Sequence, residues 1–275
     1  MLERPHLKFG PAVLAVVGAT ALGAGSLAAQ DSSLERLNSS ERHHEWVAIE
    51  QDDRAVHTFV VFPESSEPTA AVIVIHENRG LTDWVRGVAD RVAEAGYIAL
   101  APDLLSGMGP GGGKTSDYAD SNAARDGIYE LSQEQVTADL HAVADYAKAL
   151  PAASGELMVM GFCWGGSQTF HFATQREDLA VAMPFYGTAP TDKKLLSQIS
   201  CPVYGFYGGN DERVGATIEP TAEEMQALGK IYEPVTYDGA SHGFMRRGEG
   251  PDATEEDQQA LRRSWTRWME IVSGH

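Results

Sequence analysis

Cysteine is scarce in this chain, with two in 275 residues, Cys163 and Cys201, and that excludes a small scaffold held together by disulfides. Basic side chains are also outnumbered, 21 against 39 acidic ones, giving a formal charge of -18. Such a chain repels phosphate backbones and anionic lipid surfaces, which excludes nucleic acid as a partner. No apolar run of membrane length occurs after residue 27, so a membrane-embedded mature protein is excluded as well. No Cys/His group has zinc-ligand spacing, and the adjacent His43 and His44 sit in a polar stretch and read as solvated. The expectation is therefore no metal and no organic cofactor. Internal repeats and Ser/Pro-rich linkers are missing too, and ordinary proportions of hydrophobic (43%) and charged (22%) residues fit one globular domain over residues 45–275.

The single long apolar run lies near the start. Arg4 and Lys8 precede residues 11–27, and the run closes on the small residues Ser26, Ala28 and Ala29. That order is expected of a signal peptide, residues 1–29, cut after Ala28 or Ala29 in a periplasmic or secreted protein. Residues 30–44 are polar and without a period, and read as a flexible lead.

From there two strand-like runs, 46–50 and 56–62, flank the turn-forming Gln51-Asp52-Asp53 and predict an opening hairpin. Further strands are expected at 70–75, 97–100, 157–160, 181–185, 203–207 and 232–237. Helices are expected at 82–95, 133–150, 166–174, 218–228 and 254–272, the last capped by Thr254. Short apolar strands alternating with helices predict an α/β fold, a mostly parallel twisted sheet with helices on both faces. Residues 106–131 interrupt the alternation, Gly-rich at 107–113 and polar afterwards. Two readings stand, a lid over a site or a flexible surface insertion.

Chemistry concentrates at the ends of predicted strands. The apolar residues 157–160 run into Gly161-Phe162-Cys163-Trp164-Gly165 and then a helix, a nucleophile elbow with cysteine at its apex. The glycines permit a strand-to-helix turn too tight for side chains, and the helix N-terminus favours a thiolate. Asp211 directly follows the strand at 203–207, and His242 lies in Gly239-Ala-Ser-His-Gly-Phe244 after the strand at 232–237. The order nucleophile, acid, histidine is that of α/β-hydrolases, and all three sit where open α/β sheets form ligand sites. The backbone N–H groups of Trp164 and Asn78 are the expected oxyanion donors. Cys201 precedes Pro202 at the start of a strand and reads as buried filler rather than a disulfide partner for Cys163.

The segments His76-Glu77-x-x-Gly80, Gly161-x-Cys163-x-Gly165-Gly166, Gly208-x-x-Asp211 and His242-Gly243-Phe244-x-Arg246 resemble the motifs of dienelactone hydrolases over residues 45–272. The resemblance implies hydrolysis of a small-molecule ester or lactone by Cys163 as nucleophile, His242 as base and general acid, and Asp211 as the residue orienting it. It also implies that Glu77 contacts the resting cysteine and helps generate the thiolate. By charge alone a carboxylate there equally suppresses the thiolate, and a role in holding the loop is a third reading. A substrate carboxylate would be gripped by Arg246 and by an arginine of the 106–131 region, where Arg125 is the only one. An export signal and the Gly-rich insertion depart from the family's well-known cytoplasmic members. They leave room for a general carboxylesterase, with Arg246 solvated, or for a non-catalytic binding protein. Oligomeric state is not legible.

Overall fold

The computed structural model describes residues 24–275, with side chains from Ser32 onward. The expected signal peptide thus lies largely outside the described residues. Helix α1 (Ala24–Ser39) is followed by the predicted hairpin, β1 (His44–Gln51) and β2 (Arg54–Val61), paired antiparallel. The central sheet continues through β3 (Thr69–Ile75), β4 (Ile98–Pro102), β5 (Ala153–Phe162), β6 (Leu179–Phe185), β7 (Val203–Gly208) and β8 (Tyr232–Tyr237). Its order is β1-β2-β4-β3-β5-β6-β7-β8, and every pair from β4 to β8 is parallel.

The helices are α2 (Asp83–Glu94), α3 (Ser121–Glu130), α4 (Gln133–Ala149), α5 (Trp164–Ala173), α6 (Lys193–Gln198), α7 (Glu212–Ala227), α8 (Phe244–Arg247) and α9 (Glu255–Val272). Side chains of successive strand residues point to opposite faces, so the sheet divides the interior in two. Along β3, Val72 and Val74 join one core with Trp84 and Val88 of α2 and Trp268 of α9. Ala71, Ile73 and Ile75 join the other, with Leu140 and Val143 of α4 and Phe170 of α5. Thr254 caps α9 as predicted, accepting from the Asp257 N–H at 3.1 Å.

Two expectations need correction. Residues 30–44 are not a flexible lead: α1 runs to Ser39 and packs on α2, with Ser33 and Leu37 buried. Arg36, Arg42 and His44 all converge on Asp90 of α2, whose side chain is fully buried. Burial pushes that carboxyl up, but bonds from Arg42, Ser40 and His44 outweigh it and hold it down at about 2. A polar sequence without a period conceals a segment held by charge pairing to a distant carboxylate. Helix α7 also begins earlier than predicted, at Glu212, because the Asp211 side chain accepts from the Val214 N–H and caps it. The helix then continues through the exposed Pro220.

The excursion at 106–131 is neither open nor loose. Asp103 accepts from both the N–H and the hydroxyl of Thr115, and the Thr115 hydroxyl oxygen accepts from the Leu81 N–H at 3.0 Å. Asp120 then caps α3, accepting from the N–H groups of Asn122 and Ala123. The insertion is thereby tied to the loop after β3.

Candidate active site

Segments that follow five strands, β3, β5, β6, β7 and β8, build one cavity of about 460 Å³ at the carboxyl edge of the sheet. At the end of β5 the chain turns straight into α5, with Cys163 at φ 57° and ψ -114°, a conformation that strains any residue but glycine. The neighbouring glycines are there for space. A Cβ on Gly161 would lie 2.3 Å from the carbonyl oxygen of Gly165, and one on Gly165 would lie 2.3 Å from that of His76.

Cys163 Sγ stands 3.1 Å from His242 Nε2, and His242 Nδ1 stands 2.5 Å from Asp211 Oδ2. The histidine loop is anchored from behind, since the N–H of Ser241 donates to the buried Asp257 at 2.7 Å. Tyr186, buried at a positive φ of 40°, lays its ring edge-on against the imidazole at 5.1 Å. The three residues whose order the sequence supplied are therefore in hydrogen-bonding succession.

The sulfur does not rest as a thiolate. Burial and the negative charge of Glu77 push the thiol up to about 11, against the opposing pull of the Trp164 amide, the Arg213 charge and the Asn78 amide. The helix terminus was expected to favour a thiolate, but desolvation and the carboxylate win. The same balance identifies the two backbone N–H groups that reach the sulfur as those of Trp164 and Asn78, the pair expected from the sequence. His76 braces both loops. Its Nδ1 lies 2.7 Å from the Glu77 carbonyl, its Nε2 accepts from the Leu104 N–H, and its ring stacks on Trp164 at 5.5 Å. Burial lowers its pKa, and an acceptor nitrogen requires the neutral imidazole.

Glu77, expected against the resting cysteine, instead accepts from Arg246 Nε at 2.7 Å and acts on Cys163 through its charge. Arg246 is mostly buried and lines the cavity, so the reading of it as a solvated arginine is wrong. Arg125 does not reach the site. Helix α3 buries Ala124, Gly127 and Ile128, which turns Arg125 outward to pair with Asp126 at 3.4 Å. The excursion contributes Tyr129 in its place, whose hydroxyl accepts from the Asn78 side chain at 3.0 Å. Arg79 and Arg213 also line the cavity. Arg79 stands inside the His76-to-Gly80 motif, two residues after Glu77, and Arg213 follows Asp211 by two, so both could have been found from their nearness to those motifs. Among the described residues no group of His, Cys, Asp and Glu is arranged to hold a metal ion, and no helix is long and apolar enough to cross a membrane.

The parallel sheet with its cysteine elbow, acid and histidine at the ends of β5, β7 and β8 defines an α/β-hydrolase. A crystal structure of a protein of Klebsiella pneumoniae named "Putative Dienelactone Hydrolase" superposes with a TM-score of 0.75, covering 86% of this chain and 100% of that one. At 24% identity this likeness speaks for the fold. The chain belongs to the dienelactone hydrolase family, whose model matches residues 56–275. A protein of Escherichia coli named "Putative carboxymethylenebutenolidase" is 31% identical over 192 residues, spanning 66% of this chain and 69% of its own. One of the same name from Saccharolobus solfataricus is 27% identical over 261 residues, 79% of this chain and 97% of its own. The protein is accordingly a hydrolase of lactone or ester bonds.

Proposed function

We propose that the protein hydrolyses a dienelactone-like lactone or a related carboxylic ester through an acyl-cysteine. The observation that carries the reading is the unbroken succession from Cys163 through His242 to Asp211, with two amides at the sulfur. As the sulfur attacks the carbonyl carbon, the thiol proton passes to His242 Nε2, and Asp211 steadies the imidazolium. Negative charge gathers on the carbonyl oxygen, which displaces the sulfur from the amides of Asn78 and Trp164. Collapse breaks the bond to the leaving alkoxide or enolate, which takes the proton from His242. Water, deprotonated by His242, then attacks the acyl-cysteine; the C–S bond breaks, the acid is released, and the sulfur recovers its proton from His242.

A thiol near 11 fits this order, since the proton leaves with the attack rather than before it. In this reading an anionic substrate would engage Arg246 and loosen its hold on Glu77, whose freed carboxylate would assist His242 as the thiol proton leaves during the attack. A second reading, hydrolysis of neutral esters, is favoured by one feature: Arg246 is already satisfied by Glu77. Turnover of a carboxylated enol-lactone and of a neutral ester by Arg246→Ala separates the two. Loss of ten-fold or more in kcat/KM confined to the lactone supports the first, and equal effects on both support the second. Export belongs to the proposal too, resting on Arg4, Lys8 and the apolar residues 11–27. N-terminal sequencing of the protein from the periplasmic fraction tests it.

A further inference from the structure

Thr188 lines the cavity at Cys163. That residue also lines a second, larger cavity, about 760 Å³, lying between α6 and α7. Thr188 is fixed at the junction, because its N–H donates to Ser167 Oγ at 2.9 Å, and Ser167 itself faces the cysteine's cavity. Helix α7 is a common wall. Arg213 borders the first cavity, and Ala216, Thr217 and Pro220, following at steps of three or four along one helix face, border the second. The floor and sides are largely apolar, with Leu196 of α6, Pro190 and Ala227. At the rim Lys193 pairs with Glu224, which ties α6 to α7, and Glu223 stands beside them.

The geometry points to this groove as a substrate subsite that holds an extended apolar arm of the ester while its carbonyl sits at Cys163. The inference rests on the reading of Cys163 as nucleophile and deepens it. A compact lactone fills the first cavity alone, whereas the combined space suits esters carrying a chain of several carbons. Both volumes fall within the usual range of ligand pockets, about 300 to 1,000 Å³. Each methylene that leaves water against these apolar side chains gains about four-fold in binding. The arm is placed on the acyl or the alcohol side by the test rather than by the chemistry of the groove, which is the same for both.

The test compares 4-nitrophenyl acetate with 4-nitrophenyl octanoate, and ethyl acetate with octyl acetate, on the full chain and on Ala216→Trp, which fills the groove. In one of the two pairs the long-chain ester should exceed the short by about ten-fold or more in kcat/KM, and Ala216→Trp should cut that ratio at least as much. A ratio indifferent to Ala216→Trp in both pairs, or no gain with chain length, overturns the inference. Binding of octyl acetate to Cys163→Ala, by calorimetry, keeps the two readings apart. Binding that Ala216→Trp abolishes upholds the groove even if no ester is turned over, a result that would sink the nucleophile reading alone. Absence of such binding sinks the groove whatever the turnover.

Discussion

The two cysteines occupy opposite ends of the same sheet, and their surroundings separate structure from chemistry. Cys201, 6% exposed at the amino end of β7, packs among Leu196, Val203 and Met225. Cys163 lies at the carboxyl end of β5. Burial pushes both thiols up to about 11, so acidity does not distinguish them. What distinguishes Cys163 is what stands around it: a histidine 3.1 Å away, a carboxylate behind the histidine, two amides at the sulfur and a backbone held at positive φ. A buried thiol becomes a candidate nucleophile when groups from several loops can take its proton and receive the charge it creates.

The largest expected effect tests that contrast directly. Cys163→Ala should lose about 10⁴-fold or more in kcat, while Cys201→Ala keeps kcat within about two-fold and costs about 1 kcal/mol of stability through the small cavity it leaves. Steady-state kinetics and denaturant unfolding read both, and comparable losses of activity would erase the distinction. Asp211→Asn comes next, at roughly 10³-fold in kcat. Asparagine can still cap α7 by accepting from the Val214 N–H, so the melting temperature should hardly move, and a large fall would mean that Asp211 acts chiefly on the fold.

The smallest effect concerns the thiol itself. With Cys163 near 11 the neutral form prevails at lower pH, so alkylation by iodoacetamide should accelerate about ten-fold per pH unit from pH 7 towards 11. Glu77→Gln removes a charge that pushes the thiol up, which lowers its pKa and shifts the profile to lower pH. The rate at pH 8 should rise about three- to ten-fold, with Cys201 unchanged, as mass spectrometry of the labelled peptides would report. A wild-type plateau already below pH 8 would mean that His242 holds the proton at rest, and the likeness between the two thiols would fail.

Legibility from sequence followed the range of the interactions. The elbow was readable because strand, glycines and helix are contiguous from residue 153 to 173, and the parallel sheet because apolar runs alternate with amphipathic helices. The Asn78 and Trp164 amides were found because each adjoins a readable motif. Arg125 was misplaced because it was chosen as the only arginine of residues 106–131 and not from the face that α3 buries, Ala124, Gly127 and Ile128. The α1 segment was misread because its partner, Asp90, lies about fifty residues away in a helix that gives no sign of drawing two arginines and a histidine.

By itself, then, the sequence determined the order of elements, the position of Cys163 on its turn and the family to which the chain belongs, since each is carried by contiguous residues with a local steric or periodic signature. Tertiary structure alone decided that Glu77 pairs with Arg246, 169 residues away, that Tyr129 rather than Arg125 walls the site, and that the cysteine rests as a thiol. These outcomes are sums of burial and charge contributed by separate segments, and such sums exist only once the chain has brought those segments together.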